Sequence, residues 1–241
     1  MVEKITYVGR DLEAMSFAIN YHRWILQIFK PYLGTRLVEV GAGTGSFTEL
    51  LSKHTAESLS LIEPSEAMYE MLEERVEKLN YQTPVQTYNT TFRGVADQLK
   101  VAQQPDSIIY VNVLEHISDD EDELAAVYCT LGNGGRIFIF VPALHWLFGS
   151  FDEQIGHHRR YAKTELESKC RGAGFKIIEC KYFDTVGIVP WYIKYCLLRS
   201  NTMESQAVKL YDRYVVPALR VVESHVSPPI GKNVVLIAEK P

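Results

Sequence analysis

The sequence predicts an α/β fold in which a parallel sheet is wound on both faces by helices. Three observations carry that expectation. Segments rich in β-branched and aromatic residues alternate with segments whose apolar residues recur every three or four positions. The strand candidates are too uniformly apolar to have a wet face, as in Gly134-Gly-Arg-Ile-Phe-Ile-Phe-Val141, which fits strands covered on both sides. The first strand candidate runs into a glycine loop, the junction at which such sheets bind ligands.

The chain opens helically. Met15, Phe17, Ala18, Tyr21, Trp24, Ile25, Ile28 and Phe29 keep helical spacing, and Pro31 and Gly34 close the segment. Arg36-Leu-Val-Glu-Val-Gly41 is the first strand. A helix of roughly ten residues is expected from Thr44. Ser58-Leu-Ser-Leu-Ile62 is the second strand and breaks at Glu63-Pro64-Ser65; Met68, Met71, Leu72, Val76 and Leu79 then share one helix face. Residues 85–89 and 107–112 read as the third and fourth strands. Ser118 and Glu121 are spaced as a capping box, and Thr164 and Glu167 as a second one, whose helix stops at Gly172-Ala-Gly174. Between them, residues 134–141 form the fifth strand; residues 175–182 and 233–238 complete a set of seven.

Two segments leave that rhythm. Residues 143–161 are loop-like and aromatic, and residues 186–229 hold helices near 191–198 and 205–225. Both follow late strands, on the side where such sheets bind ligands, and they are expected to form helical lid inserts on a single domain.

Composition excludes several classes. Hydrophobic content of 46% and charged content of 23% are those of a globular chain, not a disordered or fibrous one. Twenty-five Lys and Arg against thirty Asp and Glu give a net charge of −5, which argues against charge-driven nucleic-acid binding. Met1 to Arg10 holds no apolar run of the secretory kind. The longest uncharged stretch, 137–151, is interrupted by Pro142, His145 and Gly149 and falls short of the roughly 18 residues of a spanning helix. Cys129, Cys170, Cys180 and Cys196 contain no Cys-x-x-Cys pair and read as reduced thiols. A cytoplasmic protein without integral membrane contact, monomeric or homodimeric, is expected.

Val38-Glu-Val-Gly-Ala-Gly-Thr-Gly-Ser-Phe47 carries most of the information. Glycines between a first strand and its helix let a ligand touch backbone, and the helix start favours polar groups there. The spacing Gly41-x-Gly43-x-Gly45 differs from the dinucleotide Gly-x-Gly-x-x-Gly, whose third position is Ser46 here. No Gly-Lys-Ser/Thr follows, which excludes a P-loop. Glu63, about twenty residues on at a strand end, suits a carboxylate accepting hydrogen bonds from both ribose hydroxyls. Loop and carboxylate in this order point to an adenosine-containing ligand.

At these residues the sequence resembles the class I S-adenosylmethionine-dependent methyltransferases, over about residues 36–180 and 231–240. Val-Glu-Val-Gly-Ala-Gly-Thr-Gly is similar to their first motif and Ile62-Glu-Pro-Ser65 to their ribose-binding turn. Asn112-Val-Leu-Glu-His116 resembles the motif after strand four, and Leu131-Gly-Asn-Gly-Gly135 the one before strand five. Trp146 to Tyr161, with Pro228-Pro-Ile-Gly, is similar to a bacterial small-molecule branch often encoded near glycosyltransferases.

The resemblance implies a Rossmann-like, mostly parallel seven-stranded sheet with an antiparallel last strand. It divides the chain into an N-terminal helical cap (1–34), a cofactor-binding core (35–142) and substrate lid inserts (143–161 and 186–229). The implied cofactor is S-adenosylmethionine, leaving as S-adenosylhomocysteine. Glu39 and Gly41, Ala42, Gly43, Thr44 and Gly45 would line its methionine part, Glu63 with Pro64 would hold the ribose, and Thr90 and Thr91 would stand near adenine. Asn112 and Val113 would also meet the cofactor, and Tyr21 and Arg23 would reach its carboxylate.

Methyl transfer is an in-line displacement at an already activated carbon, so alignment and desolvation supply much of the catalysis. A hydroxyl or ammonium acceptor also needs a base, and imidazoles titrate near neutrality. His116, His145, His157 and His158 are the candidates, with His116, after strand four, placed first and His157 in Gly-His-His-Arg-Arg-Tyr161 beside it. Trp146, His158, Arg159, Arg160 and Tyr161 are candidate substrate contacts, the arginines suiting a carboxylate or phosphate. Asp119-Asp-Glu-Asp-Glu123 lies in a first helical turn, where negative charge is favoured anyway, so no metal is expected. The acceptor is a small or lipid- or sugar-linked molecule. The alternatives are a non-catalytic S-adenosylmethionine-binding regulatory module and an NAD-dependent oxidoreductase or epimerase. The glycine spacing and the lack of a Tyr-x-x-x-Lys pair speak against the last.

Overall fold

The computed structural model describes residues 18–79, 81–102 and 104–241. The expected helical positions Met15 and Phe17 lie outside the described residues. Seven strands form one sheet: β1 (Arg36–Val40), β2 (Ser58–Ile62), β3 (Val85–Tyr88), β4 (Ser107–Val111), β5 (Arg136–Pro142), β6 (Lys176–Phe183) and β7 (Asn233–Glu239). Their order is β3-β2-β1-β4-β5-β7-β6. The first five pair in parallel, while β7 runs antiparallel to both β5 and β6, as expected from the resemblance.

Side-chain alternation along each central strand feeds two separate cores. Leu37, Ile109, Phe138, Phe140, Val235 and Ile237 face one layer; Val38, Ile108, Tyr110, Ile137, Ile139 and Leu236 face the other. The first layer contains α1 (Ile19–Phe29), α2 (Thr48–Leu51), α3 (Glu66–Leu79) and, at the far end of the chain, α10 (Val216–His225). The second contains α4 (Phe92–Ala102), α5 (Asp120–Thr130) and α7 (Lys163–Gly172). Chain order reverses between β1 and β4, so a crevice opens above the carboxyl ends of these strands.

Three local expectations are corrected. The helix after the glycine loop spans only Thr48–Leu51; it starts four residues later than expected because Gly45 adopts φ +79° and turns the chain out of helical geometry. Asp119, not Ser118, caps α5, its carboxylate accepting from the Asp122 amide at 3.1 Å. Thr164 lies inside α7, which starts at Lys163; the Glu165 carboxylate accepts from the Ala162 amide at 3.3 Å.

The two segments that leave the strand–helix rhythm are more ordered than a loop. Residues 143–161 hold a 3-10 turn (His145–Leu147) and α6 (Ser150–Gln154). In the second insert α8 (Ile188–Trp191) continues as a π-helical stretch to Leu197, and α9 (Ser205–Leu210) passes through another (Tyr211–Val215) into α10. Asp212 of this insert caps α1 from outside: its two carboxylate oxygens accept from the Asn20 and Tyr21 amides at 3.0 and 2.8 Å. Asp184, just past β6, gathers the same region. It accepts from Tyr21, Tyr211 and the Gly187 amide and pairs with Lys232 at 3.1 Å. Burial raises its pKa, but Lys232 and the two phenols outweigh that and hold it below the usual range. Cys129, Cys170, Cys180 and Cys196 are all free thiols. Among the described residues no helix is long and apolar enough to cross a membrane.

Candidate active site

A cavity of about 330 Å³ occupies the crevice, within the range of small-ligand sites. One wall is the glycine loop. Gly41, Gly43 and Gly45 all take positive φ, where side chains carry a steric penalty. A Cβ on Gly41 would stand 2.4 Å from Val113 Cγ2. Gly41, Ala42, Gly43 and Thr44 face the cavity together with Ser46 and Phe47. At Gly41 and Gly43 the loop therefore presents backbone, not side chains, to the cavity.

Glu39, on β1 beneath that loop, also faces the cavity, and Thr48 donates to its carboxylate at 2.6 Å. Burial pushes its pKa up to about 8 against the opposing Thr48 bond. Glu63 is buried beneath the loop, outside the cavity wall. Its carboxylate accepts from the Gly43 and Ser65 amides, each at 2.8 Å; burial raises its pKa while those two bonds lower it. It thus shapes the loop, and each oxygen keeps further acceptor capacity. Asn112, at φ +54°, turns the chain off β4 into the cavity, its amide donating to the Phe140 carbonyl at 2.8 Å. Val113 packs behind Gly41 instead of lining the wall.

The opposite wall holds the histidines. His116 and His157 both face the cavity, with ring centroids 4.6 Å apart and planes at 76°. His157 Nδ1 lies 2.7 Å from Asp152 Oδ1; an ionised carboxylate only accepts, so Nδ1 carries the proton and Nε2 turns toward Glu115 Oε1 at 3.7 Å. Burial raises the pKa of Asp152, but the His157 hydrogen bond and the Arg160 charge overcome it and keep it ionised. Arg160 is 1% exposed, donates through Nε to both Asp152 oxygens at 3.0 and 3.1 Å, and lies 4.6 Å from the centre of the Trp191 ring. Burial, chiefly, drives His116 down to about 3 and Glu115 up to about 7. Trp191, Tyr195 and Phe151 stack beside the cluster and close this side with apolar surface.

Several expected contacts fall elsewhere. Arg23 is exposed on the outer side of α1, one residue past the cavity-lining pair Tyr21 and His22, so only the latter two face inward. Tyr21 itself is tied to Asp184 and Asn233, at 2.9 and 3.0 Å. Pro64, Thr90 and Thr91 lie outside the cavity wall; Thr90 packs against Gly94 at the start of α4. Among the substrate candidates only Arg160 reaches the wall. Arg159 braces α5 through Asp120 at 2.8 Å and the Ser118 carbonyl. Tyr161 is fully buried and donates to Asp120 at 2.7 Å. His158 is exposed, and Trp146 is 53% exposed against Tyr192. Arg159 and Tyr161 thus tie the segment to Asp120 of α5, while His158 and Trp146 point outward.

Sequence reasoning assigned no role to His22, Glu115, Asp152, Tyr195, Lys232 or Asn233, all at the cavity or hydrogen-bonded to its wall. The signals present were Glu115 inside the motif after β4 and the five-residue spacing of Asp152 and His157. Neither spacing has a meaning until the chain folds.

Fold and cavity together define a class I methyltransferase. A family model described as a methyltransferase domain matches residues 13–180, and the chain belongs to that family. Its methyl donor is S-adenosylmethionine, which removes the NAD-dependent alternative. Solved structures show the same fold. A Thermotoga maritima protein described as an S-adenosylmethionine-dependent methyltransferase, possible histamine N-methyltransferase, shares 19% identity and a TM-score of 0.58, over 97% of this chain and 96% of its own. A putative methyltransferase from Bacillus halodurans shares 15% at a TM-score of 0.61, over 91% and 98%. The cyclase SpnF shares 15% at 0.60, over 92% and 80%. No curated protein matches.

Proposed function

We propose that this methyltransferase acts on a small or lipid- or sugar-linked acceptor, held between the 186–229 insert and the histidine cluster. One observation carries the reading: a single cavity is bounded by the glycine loop on one side and by His116, His157 and an aromatic wall on the other. S-adenosylmethionine, when bound, supplies an activated methyl group; Glu39, the amides of 41–44, Asn112 and, from below, Glu63 are the groups that would hold it. Net charge offers no footprint for a nucleic-acid substrate.

The chain's own contribution is alignment, dryness and proton removal. Trp191, Tyr195 and Phe151 exclude water beside the acceptor. His157 Nε2 takes the proton of an acceptor hydroxyl or ammonium. Asp152 fixes the ring and stabilises the imidazolium that forms. The two inserts act as the lid.

The test is transfer from methyl-labelled S-adenosylmethionine into a panel of hydroxyl, amine and carbon acceptors, with His157→Gln alongside. Turnover of a hydroxyl acceptor should fall about 10²–10⁴-fold in the variant, with S-adenosylhomocysteine binding retained. Tight cofactor binding with no transfer to any acceptor would replace this reading with the regulatory module.

A further inference from the structure

Glu115 is the least satisfied polar side chain on the cavity wall. It is fully buried, and both carboxylate oxygens lack a hydrogen-bond partner. Such a group needs a proton or a cation. Two imidazoles stand beside it: one ligand atom from each of Glu115, His116 and His157 falls within 4.8 Å of the others. All three residues face the cavity, so a fourth position would stay open to it.

We propose that Glu115, His116 and His157 form a three-ligand site for a divalent transition-metal ion of the zinc or cobalt type. Two imidazoles and one carboxylate with an open position suit such ions in reactive sites. The surroundings are already arranged for it. Asp152 accepts a hydrogen bond from the Nδ1–H of His157 at 2.7 Å, which leaves Nε2, 3.7 Å from Glu115, as the lone-pair atom. A carboxylate behind a ligating histidine fixes tautomer and ring orientation in the same way at known metal sites. His116 is held by the Gly156 backbone. The cation Arg160 does not compete for the ion's place, since its Nε is bound to both Asp152 oxygens. Glu115 and Asp152 against Arg160 leave one net negative charge for the ion to offset.

Metal-free and metal-loaded protein then remove the acceptor's proton by different routes. Without the ion, His157 takes it. With the ion, Nε2 is a ligand, and a hydroxyl bound at the open position is acidified by the cation and gives its proton to solvent. Ion binding itself does not depend on methyl transfer, so failure of either idea leaves the other standing.

The experiment is direct binding. Chelator-stripped protein is dialysed against zinc, bound metal is counted by elemental analysis, and affinity is read by competition with a chromophoric chelator. Cobalt in its place reports coordination through visible absorption. One equivalent is expected in the wild type, lost in Glu115→Gln and in His157→Gln. Asp152→Asn, which keeps all three ligands, should weaken binding by about 10–100-fold. Retained S-adenosylhomocysteine binding shows that each variant is folded, and either ligand variant alone suffices if the other is not. Retention of no ion, or of an equivalent that persists in the ligand variants, overturns the site and leaves Glu115 as a protonated acid.

Discussion

The two walls of the cavity are built in opposite ways. The glycine-loop wall comes from one continuous stretch, 39–47, attached to a central strand and braced by Glu63 from the neighbouring strand end. The histidine wall is assembled from the end of β4, the 143–161 segment and the 186–229 insert, joined by buried charges and aromatic stacking. The first wall depends on backbone conformation and the second on side-chain pairing. On the function proposed above, the cofactor meets the fixed backbone cradle, and the acceptor meets a pocket that can be rebuilt by exchanging side chains on segments grafted onto the sheet.

If that contrast holds, the largest loss of stability belongs to the histidine wall. Arg160→Met keeps the bulk but strands Asp152 without its guanidinium. About 3–5 kcal/mol should be lost on denaturant unfolding, as for broken buried pairs, with cofactor affinity nearly unchanged. A matching fall in S-adenosylhomocysteine affinity would show that the walls are not independent.

Glu39 gives a pH signature on the other wall. Its folded pKa, about 8, lies above its ordinary 4.5, so between those values the folded state holds a proton that the unfolded state has released. Stability should therefore fall as pH rises through that window, by up to about 1.4 kcal/mol per pH unit. The contribution is fully retained below the lower value and lost above the higher one. Glu39→Gln removes the slope, so its melting temperature should pull ahead of wild type from pH 4.5 to 8 and stay parallel beyond. A pH-independent gap would refute this.

Gly41→Ala tests the cradle itself. Positive φ together with the approach to Val113 should cost about 1–3 kcal/mol. Adding Val113→Ala should recover the contact part alone, because the backbone part is intrinsic. Full recovery would make Gly41 a packing glycine, not a conformational one.

The smallest effect concerns the tie between the insert and α1. Asp212→Ala removes the carboxylate that caps the Asn20 and Tyr21 amides, worth about 1 kcal/mol. Hydrogen exchange should quicken at the start of α1 and in α9, and hardly at all in β1. Uniform quickening would mean that the insert is part of the core.

The legible parts of the sequence were those whose meaning is local. The largely apolar runs 36–40, 107–111 and 136–142 must feed two layers, because successive side chains of a strand point to opposite faces. The glycines at 41, 43 and 45 announce a loop that carries backbone to a ligand, and all three take positive φ. Local reading failed where two neighbours competed for one role. Asp119 displaced Ser118 as the cap of α5, and Gly45 delayed to Thr48 a helix that the spacing began at Thr44.

By itself, then, the sequence determined the sheet, its two layers and the position of the glycine loop, because each follows from periodicity or from conformational restriction within a few residues. Only the tertiary structure decided which histidine has a carboxylate behind it, which arginine faces the cavity and that Glu115 is left without a partner. Asp152, His157 and Glu115 meet because β4 and the segment after β5 end side by side. Such a meeting is a property of neighbouring strand ends, and no spacing along the chain encodes it.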